Sequence, residues 1–112
     1  MIYEEFKDLK VIEDKTNPFS TLYELDDGSR FYIEPVFHTQ MLGFKEQWKD
    51  QYQSIVDEII KIARKNKKVI FTGNFEFPQT VAEGYIIHEI TDVTDRLKIF
   101  AEDKSRGSDY GD

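Results

Sequence analysis

The sequence predicts an α+β domain, a small antiparallel sheet or half-open β-barrel with one long amphipathic helix packed across it. Three observations predict it. Between Phe44 and Lys68, the residues Phe44, Trp48, Tyr52, Ile55, Val56, Ile59, Ile60 and Ala63 recur at spacings of three and four, which places them on one stripe of a 3.6-residue helix. Ahead of the helix, Thr21 to Leu25 and Arg30 to Phe37 flank Asp26-Asp27-Gly28-Ser29, and an Asp-Gly step between apolar-rich segments is a strong hairpin signal. Behind it come short apolar segments that read as three strands in a meander.

Taken in order, Tyr3 and Phe6 anchor either a helical turn or an edge strand. Leu9 to Ile12 reads as a strand closed by the turn Thr16-Asn17-Pro18. Pro35 cannot donate to a ladder, so the second hairpin strand ends there or lies at an edge; His38 to Leu42 then serve as a link. Gly43 with Glu46 three residues on makes half a capping box and marks the helix start. Asn66 is the expected left-handed residue at its end, and Asp57 with Lys61 an acid-before-base pair on its surface.

Val69-Ile70-Phe71 is a continuous apolar run, as expected of a strand buried on both faces. Thr72-Gly73-Asn74 marks a bulge or bend before Phe75-Glu76-Phe77, and Pro78-Gln79-Thr80 turns the chain. Val81 to Val93 holds the best late strand, centred on Tyr85 to Ile90. Thr94-Asp95 makes a turn into residues 96–101, where alternation of Leu97, Ile99 and Ala101 favours strand over the helical spacing of Leu97, Phe100 and Ala101. Residues 1–102 form a single domain; residues 103–112 lack any core-forming pattern and read as a disordered acidic tail.

At 112 residues the chain is long enough for a core of its own. It has no cysteine, which excludes disulfides, thiolate catalysis and Cys-based metal sites. The N-terminus has neither a basic start nor a continuous apolar run, so no signal peptide is expected. No window approaches the eighteen or more apolar residues of a membrane span, so a soluble cytoplasmic protein with no membrane partner is expected, and the richness in Lys, Glu, Ile, Phe and Tyr suggests a bacterial, phage or plasmid source.

The net charge of −7 is unevenly placed: −5 over residues 1–43, +3 over 44–68 and −5 over 69–112, counting Asp and Glu against Lys and Arg. An acidic surface opposes non-specific nucleic-acid binding, which depends on phosphate contacts. The basic segment is the exception. Lys61, Arg64, Lys65, Lys67 and Lys68 close the helix, where cations complement the dipole, yet five bases in eight residues exceed that need and make a candidate contact for an acidic partner or a phosphate. Sixteen aromatics are more than a core of this size requires. Of Phe19, Tyr23, Tyr32, Phe75 and Phe77, some are expected at the surface, and Phe75 and Phe77 share one strand face.

His38 and His88 are the candidate acid–base groups. His88 shares a strand face with Ile86 and Ile90 while Glu89 points away, so no neighbouring acid completes a pair. The carboxylates at Asp26-Asp27 and at Glu89, Asp92 and Asp95 fall at turns, where Asp serves the backbone. No catalytic constellation, metal site or cofactor is predicted. The leading functional expectation is a non-enzymatic interaction module that binds and regulates or inhibits another macromolecule, most readily a protein. One alternative is a β-barrel-like binder of RNA or single-stranded nucleic acid, using the basic helix end and exposed aromatics. The other is an enzyme or small-ligand protein using His38 or His88. Edge-to-edge homodimerisation is open to such a sheet.

Overall fold

The computed structural model describes residues 2–73, 83–95 and 97. Their architecture is α+β. Strands β1 (Lys10–Ile12), β2 (Thr21–Glu24), β3 (Arg30–Ile33), β4 (Lys68–Thr72) and β5 (Ile86–Glu89) lie side by side in sequence order. Helices α1 (Pro35–Gln47) and α2 (Tyr52–Asn66) connect β3 to β4. Among the described residues β1 and β5 are the two end strands and do not pair with each other, so the sheet is not a closed barrel.

It is also not antiparallel throughout. β1, β2 and β3 pair antiparallel, while β3 with β4 and β4 with β5 pair parallel. The reason lies in the helices. A helical crossover between neighbouring strands returns the chain to the end from which it left, so the next strand runs the same way. That accounts for β3 with β4; β5, reached through residues outside the described set, also pairs parallel to β4, in place of the meander expected after the helix.

The single long helix is two. Pro35 opens α1 rather than closing a strand, because its fixed φ suits the first helical position and its missing N–H has no intrahelical partner there anyway. The segment 38–42, expected as a link, lies inside α1. At Trp48 the backbone leaves the helical region (φ −130°, ψ 62°), a 3₁₀ turn spans Lys49–Gln51, and α2 begins at Tyr52. The rings of Phe44 and Trp48 pack with centroids 5.0 Å apart across the end of α1. Apolar spacing runs through this break, so periodicity alone could not reveal it. At the far end Lys67, not Asn66, takes the positive φ of 74°, and Asn66 instead donates from Nδ2 to the Ile62 carbonyl at 3.0 Å.

Alternation sorts the strand side chains onto two faces. Tyr23, Phe31, Ile33, Val69 and Phe71 join Tyr52, Ile55, Val56, Ile59, Ile62 and Ala63 of α2, with Phe37 and Met41 of α1, in the main core. On the opposite face Leu22, Tyr32 and Ile70 form a smaller cluster with Ile12 and Tyr85. β4 is thus buried on both faces, as its apolar run predicts.

The hairpin from Thr21 through Asp26-Asp27-Gly28-Ser29 to Arg30 is present, with Gly28 at φ 88° in its turn. Residues 4–6, ambiguous in sequence, make a 3₁₀ turn that buries Phe6, with Tyr3 buried just ahead of it. The late strand stops at Glu89, and residues 90–95 are helical where strand and turn were expected. The Glu89 N–H donates to Asp92 Oδ2 at 2.8 Å, the acid-to-backbone half of a capping box, which favours helix from there on. Leu97 is helical too, against the strand expectation. Phe75, Phe77, the 78–80 turn, residues 98–101 and the 103–112 tail lie outside the described residues.

Candidate interaction surface

The basic end of α2 does not present its five cations together. Arg64 Nη1 lies 2.8 Å from Asp26 Oδ1 and 3.5 Å from Asp27 Oδ2, and Lys67 Nζ lies 3.4 Å from the same Asp27 oxygen. The β2–β3 turn is therefore docked on the end of α2, so the acidic turn and the basic cluster are one charge-matched contact. The Ser29 N–H donates to Asp27 at 2.9 Å. This bond is the largest cause of an Asp27 carboxyl held at about 2; desolvation opposes it, and the Lys67 charge adds a smaller lowering. Lys68 sits on β4 with its ammonium 5.8 Å from the Tyr85 ring centroid. Lys61 and Lys65 are exposed, with no ion-pair partner among the described residues.

The two histidines differ in their surroundings. His38 on α1 donates from Nε2 to Glu5 Oε1 at 2.8 Å, and Tyr3 stacks on its ring at 3.8 Å. The hydroxyl of Tyr52 on α2 donates to the other Glu5 oxygen at 2.6 Å. Burial pushes the Glu5 carboxyl up, but the bonds from Tyr52 and His38 outweigh it, and the group lies below its ordinary value. Burial, then the bond to Glu5, drives the Tyr52 phenol well up. This network ties the N-terminal segment to both helices. At β5, His88 Nδ1 lies 3.3 Å from Asp92 Oδ2 without hydrogen-bond alignment, and its ring faces Phe71 with centroids 6.1 Å apart. Among the described residues no group of three or more His, Cys, Asp or Glu could hold a metal ion.

A different surface emerges beside β1. The loop from Glu13 to Ser20 is braced from within. Asp14 accepts from the Thr16 N–H and hydroxyl through one oxygen and from the Tyr32 hydroxyl, 2.6 Å away, through the other. Asn17 N–H donates to the Asp14 carbonyl at 3.2 Å, and the Asn17 carboxamide oxygen accepts from the Ser20 N–H at 3.2 Å. The bonds from Thr16 and then Tyr32 hold the Asp14 carboxyl below its ordinary value. On this braced loop Phe19 stands 69% exposed. A cleft of about 410 Å³ opens between the end of β1 and the loop, lined by Val11, Ile12, Pro18 and Leu22 among others. A second, of about 430 Å³, opens at the other end of β1 between Asp8, Lys10, Glu24 and Arg64.

The sequence named Phe19 among several aromatics with nothing to single it out. The signal was there in Asp14, Thr16, Asn17 and Pro18, residues that form local side chain-to-backbone turns. Of the other named aromatics, Tyr23 and Tyr32 are buried. Compared with known proteins, the chain matches no family model, no curated protein and no solved structure. No helix of the described residues is long and apolar enough to cross a membrane.

Proposed function

We propose that this chain is a non-enzymatic interaction module, a small acidic cytoplasmic protein that binds a partner protein and regulates or inhibits it. The observation that carries this reading is Phe19, a large aromatic side chain held outside the core by a loop whose own hydrogen bonds fix it. Exposing an aromatic ring forgoes about 1.5–3 kcal/mol of burial. A rigid aromatic that loses little entropy on docking is the kind of residue that dominates protein interfaces.

The inward-turned chemistry supports the same reading, since His38 is spent on Glu5 and two of the five helix-end cations on the hairpin turn. Lys61 and Lys65, with Phe75 and Phe77, remain proposed as a secondary contact.

The test is affinity capture of a tagged full-length chain from its native host, with and without nuclease, beside Phe19→Ala. A stoichiometric protein that survives nuclease and is lost with Phe19→Ala supports the module. Nucleic acid that co-purifies and vanishes with nuclease overturns it in favour of a nucleic-acid binder, and recovery of the chain alone sinks it.

A further inference from the structure

We propose that the outer edge of β1 is the docking site for an extended, basic segment of the partner protein, which joins the sheet as an additional strand. The proposal rests on the interaction-module reading and names the partner's chemistry.

Among the described residues no strand lies beyond β1. An edge strand presents a row of backbone N–H and C=O groups that only another extended chain can satisfy in register. Along this edge, among the described residues, Lys10 and Val11 are exposed, Val11 to 38%. Clefts at its two ends extend the available track beyond the three residues of the strand. The braced loop that carries Phe19 lines one of those clefts through Asn17, Pro18 and Ser20, where a side chain of the incoming strand can pack.

Charge selects the occupant. The two clefts are lined by five acids, Asp8, Glu13, Asp14, Glu24 and Asp26, against Lys10, Lys15 and Arg64. Two of those bases are engaged with two of those acids, Lys10 with Glu24 at 3.3 Å and Arg64 with Asp26 at 2.8 Å, and Asp14 accepts from Tyr32, which leaves Asp8 and Glu13 against Lys15. Asp8 and Glu13 are exposed at opposite ends of the strand and join no ion pair among the described residues. They suit Lys or Arg side chains on a strand laid between them, a rim arrangement that sets specificity and on-rate. A second copy of this chain fits less well, because pairing two three-residue strands buries far less than the roughly 1,200 Å² of a stable interface and sets one acidic rim against another.

The probe is a phage-displayed library of random twelve-residue peptides selected on the full chain. Enriched peptides should alternate apolar residues with Lys or Arg. Binding should slow amide exchange at Lys10, Val11 or Ile12 roughly tenfold. Asp8→Lys with Glu13→Lys should weaken binding roughly tenfold, whereas Lys61→Glu with Lys65→Glu should leave it unchanged. Failure to enrich any peptide, enrichment of acidic or helix-forming peptides, or unchanged exchange at residues 10–12 overturns the edge assignment. So does a dimer that protects β1 without peptide. If host capture still returns a protein partner that depends on Phe19, the edge alone is wrong; if it returns none, the module reading falls as well.

Discussion

The Tyr52 hydroxyl donates to Glu5 Oε2 across 2.6 Å, joining the first turn of α2 to a 3₁₀ turn 47 positions earlier in the chain. The carboxylate side chain of Glu5 is only 7% exposed, and its other oxygen is taken by His38. Glu5→Gln replaces an acceptor of two bonds by a group that can accept only at one end, so one buried donor loses its partner. The expected cost is about 1–3 kcal/mol. Tyr52→Phe should cost about 1 kcal/mol, and the double variant less than the sum of the singles. Urea unfolding of the four proteins measures this; additive costs would show that Glu5 and Tyr52 do not act together.

Acid should expose the same carboxylate. Its folded value lies below its unfolded one, so the contribution of Glu5 is fully present above the ordinary range near pH 4.5 and is lost as pH falls through the lowered value. Asp27, held at about 2, acts in the same direction and lower, between its ordinary 3.8 and 2. Asp14 and Glu24, also held below their ordinary values, act in the same sense, so unfolding midpoints measured from pH 6 to pH 2 should fall throughout that range. In Glu5→Gln the fall should shrink on its upper side, from about pH 4.5 downward, and persist at lower pH; a profile unchanged in shape would show that Glu5 contributes nothing to it.

Gly73 ends β4 against the start of α1. A Cβ at this position would overlap Val36 Cγ1 and lie 2.6 Å from Val36 Cβ and 3.2 Å from its carbonyl carbon. Gly73→Ala is therefore expected to destabilise by about 1–3 kcal/mol. Adding Val36→Ala removes the nearest atom but leaves the next two, so rescue should be partial. Full rescue in thermal melts would show that only the Val36 methyl stands in the way.

Lys67 carries its side chain at a φ of 74°, where an L residue is strained and glycine is not. Lys67→Gly is expected to stabilise by up to about 1 kcal/mol, even though it removes the 3.4 Å contact with Asp27, since that contact is exposed to solvent. A lower melting temperature in the variant would mean that the contact outweighs the strain.

How much of this was legible depended on the range of the cause. The Asp26-Asp27-Gly28 turn and the run Val69-Ile70-Phe71 are local patterns, and both appear where the sequence places them. Pro35 was legible as a boundary but not as which kind, because a proline that ends a strand and one that opens a helix look alike until the next residues commit. The break at Trp48 was hidden because the apolar stripe crosses it. The parallel pairing of β3 with β4 was recoverable in principle, since a helical crossover between neighbouring strands favours it.

The site was harder. Arg64 and Asp26 are 38 positions apart, and no spacing rule joins them. Glu5 carries no sequence signal of its own, although its hydrogen-bond partners His38 and Tyr52 stand out, one as an acid–base group and the other as a member of the apolar stripe. Phe19 differs from the buried rings only in where its loop is braced.

The pairing of β3 with β4 imposes an order of assembly. β1, β2 and β3 meet through short turns, whereas β3 and β4 meet only after residues 34–67 have been brought back on themselves. Closing a flexible segment of that length costs about 3 kcal/mol in chain entropy, and the helices must pack before the cost is recovered. Folding should thus proceed from an early N-terminal ribbon to a late, rate-setting capture of β4. Substitutions in β4 such as Ile70→Val should then slow folding more than substitutions in β1, whose edge can fray and reform without unmaking the rest.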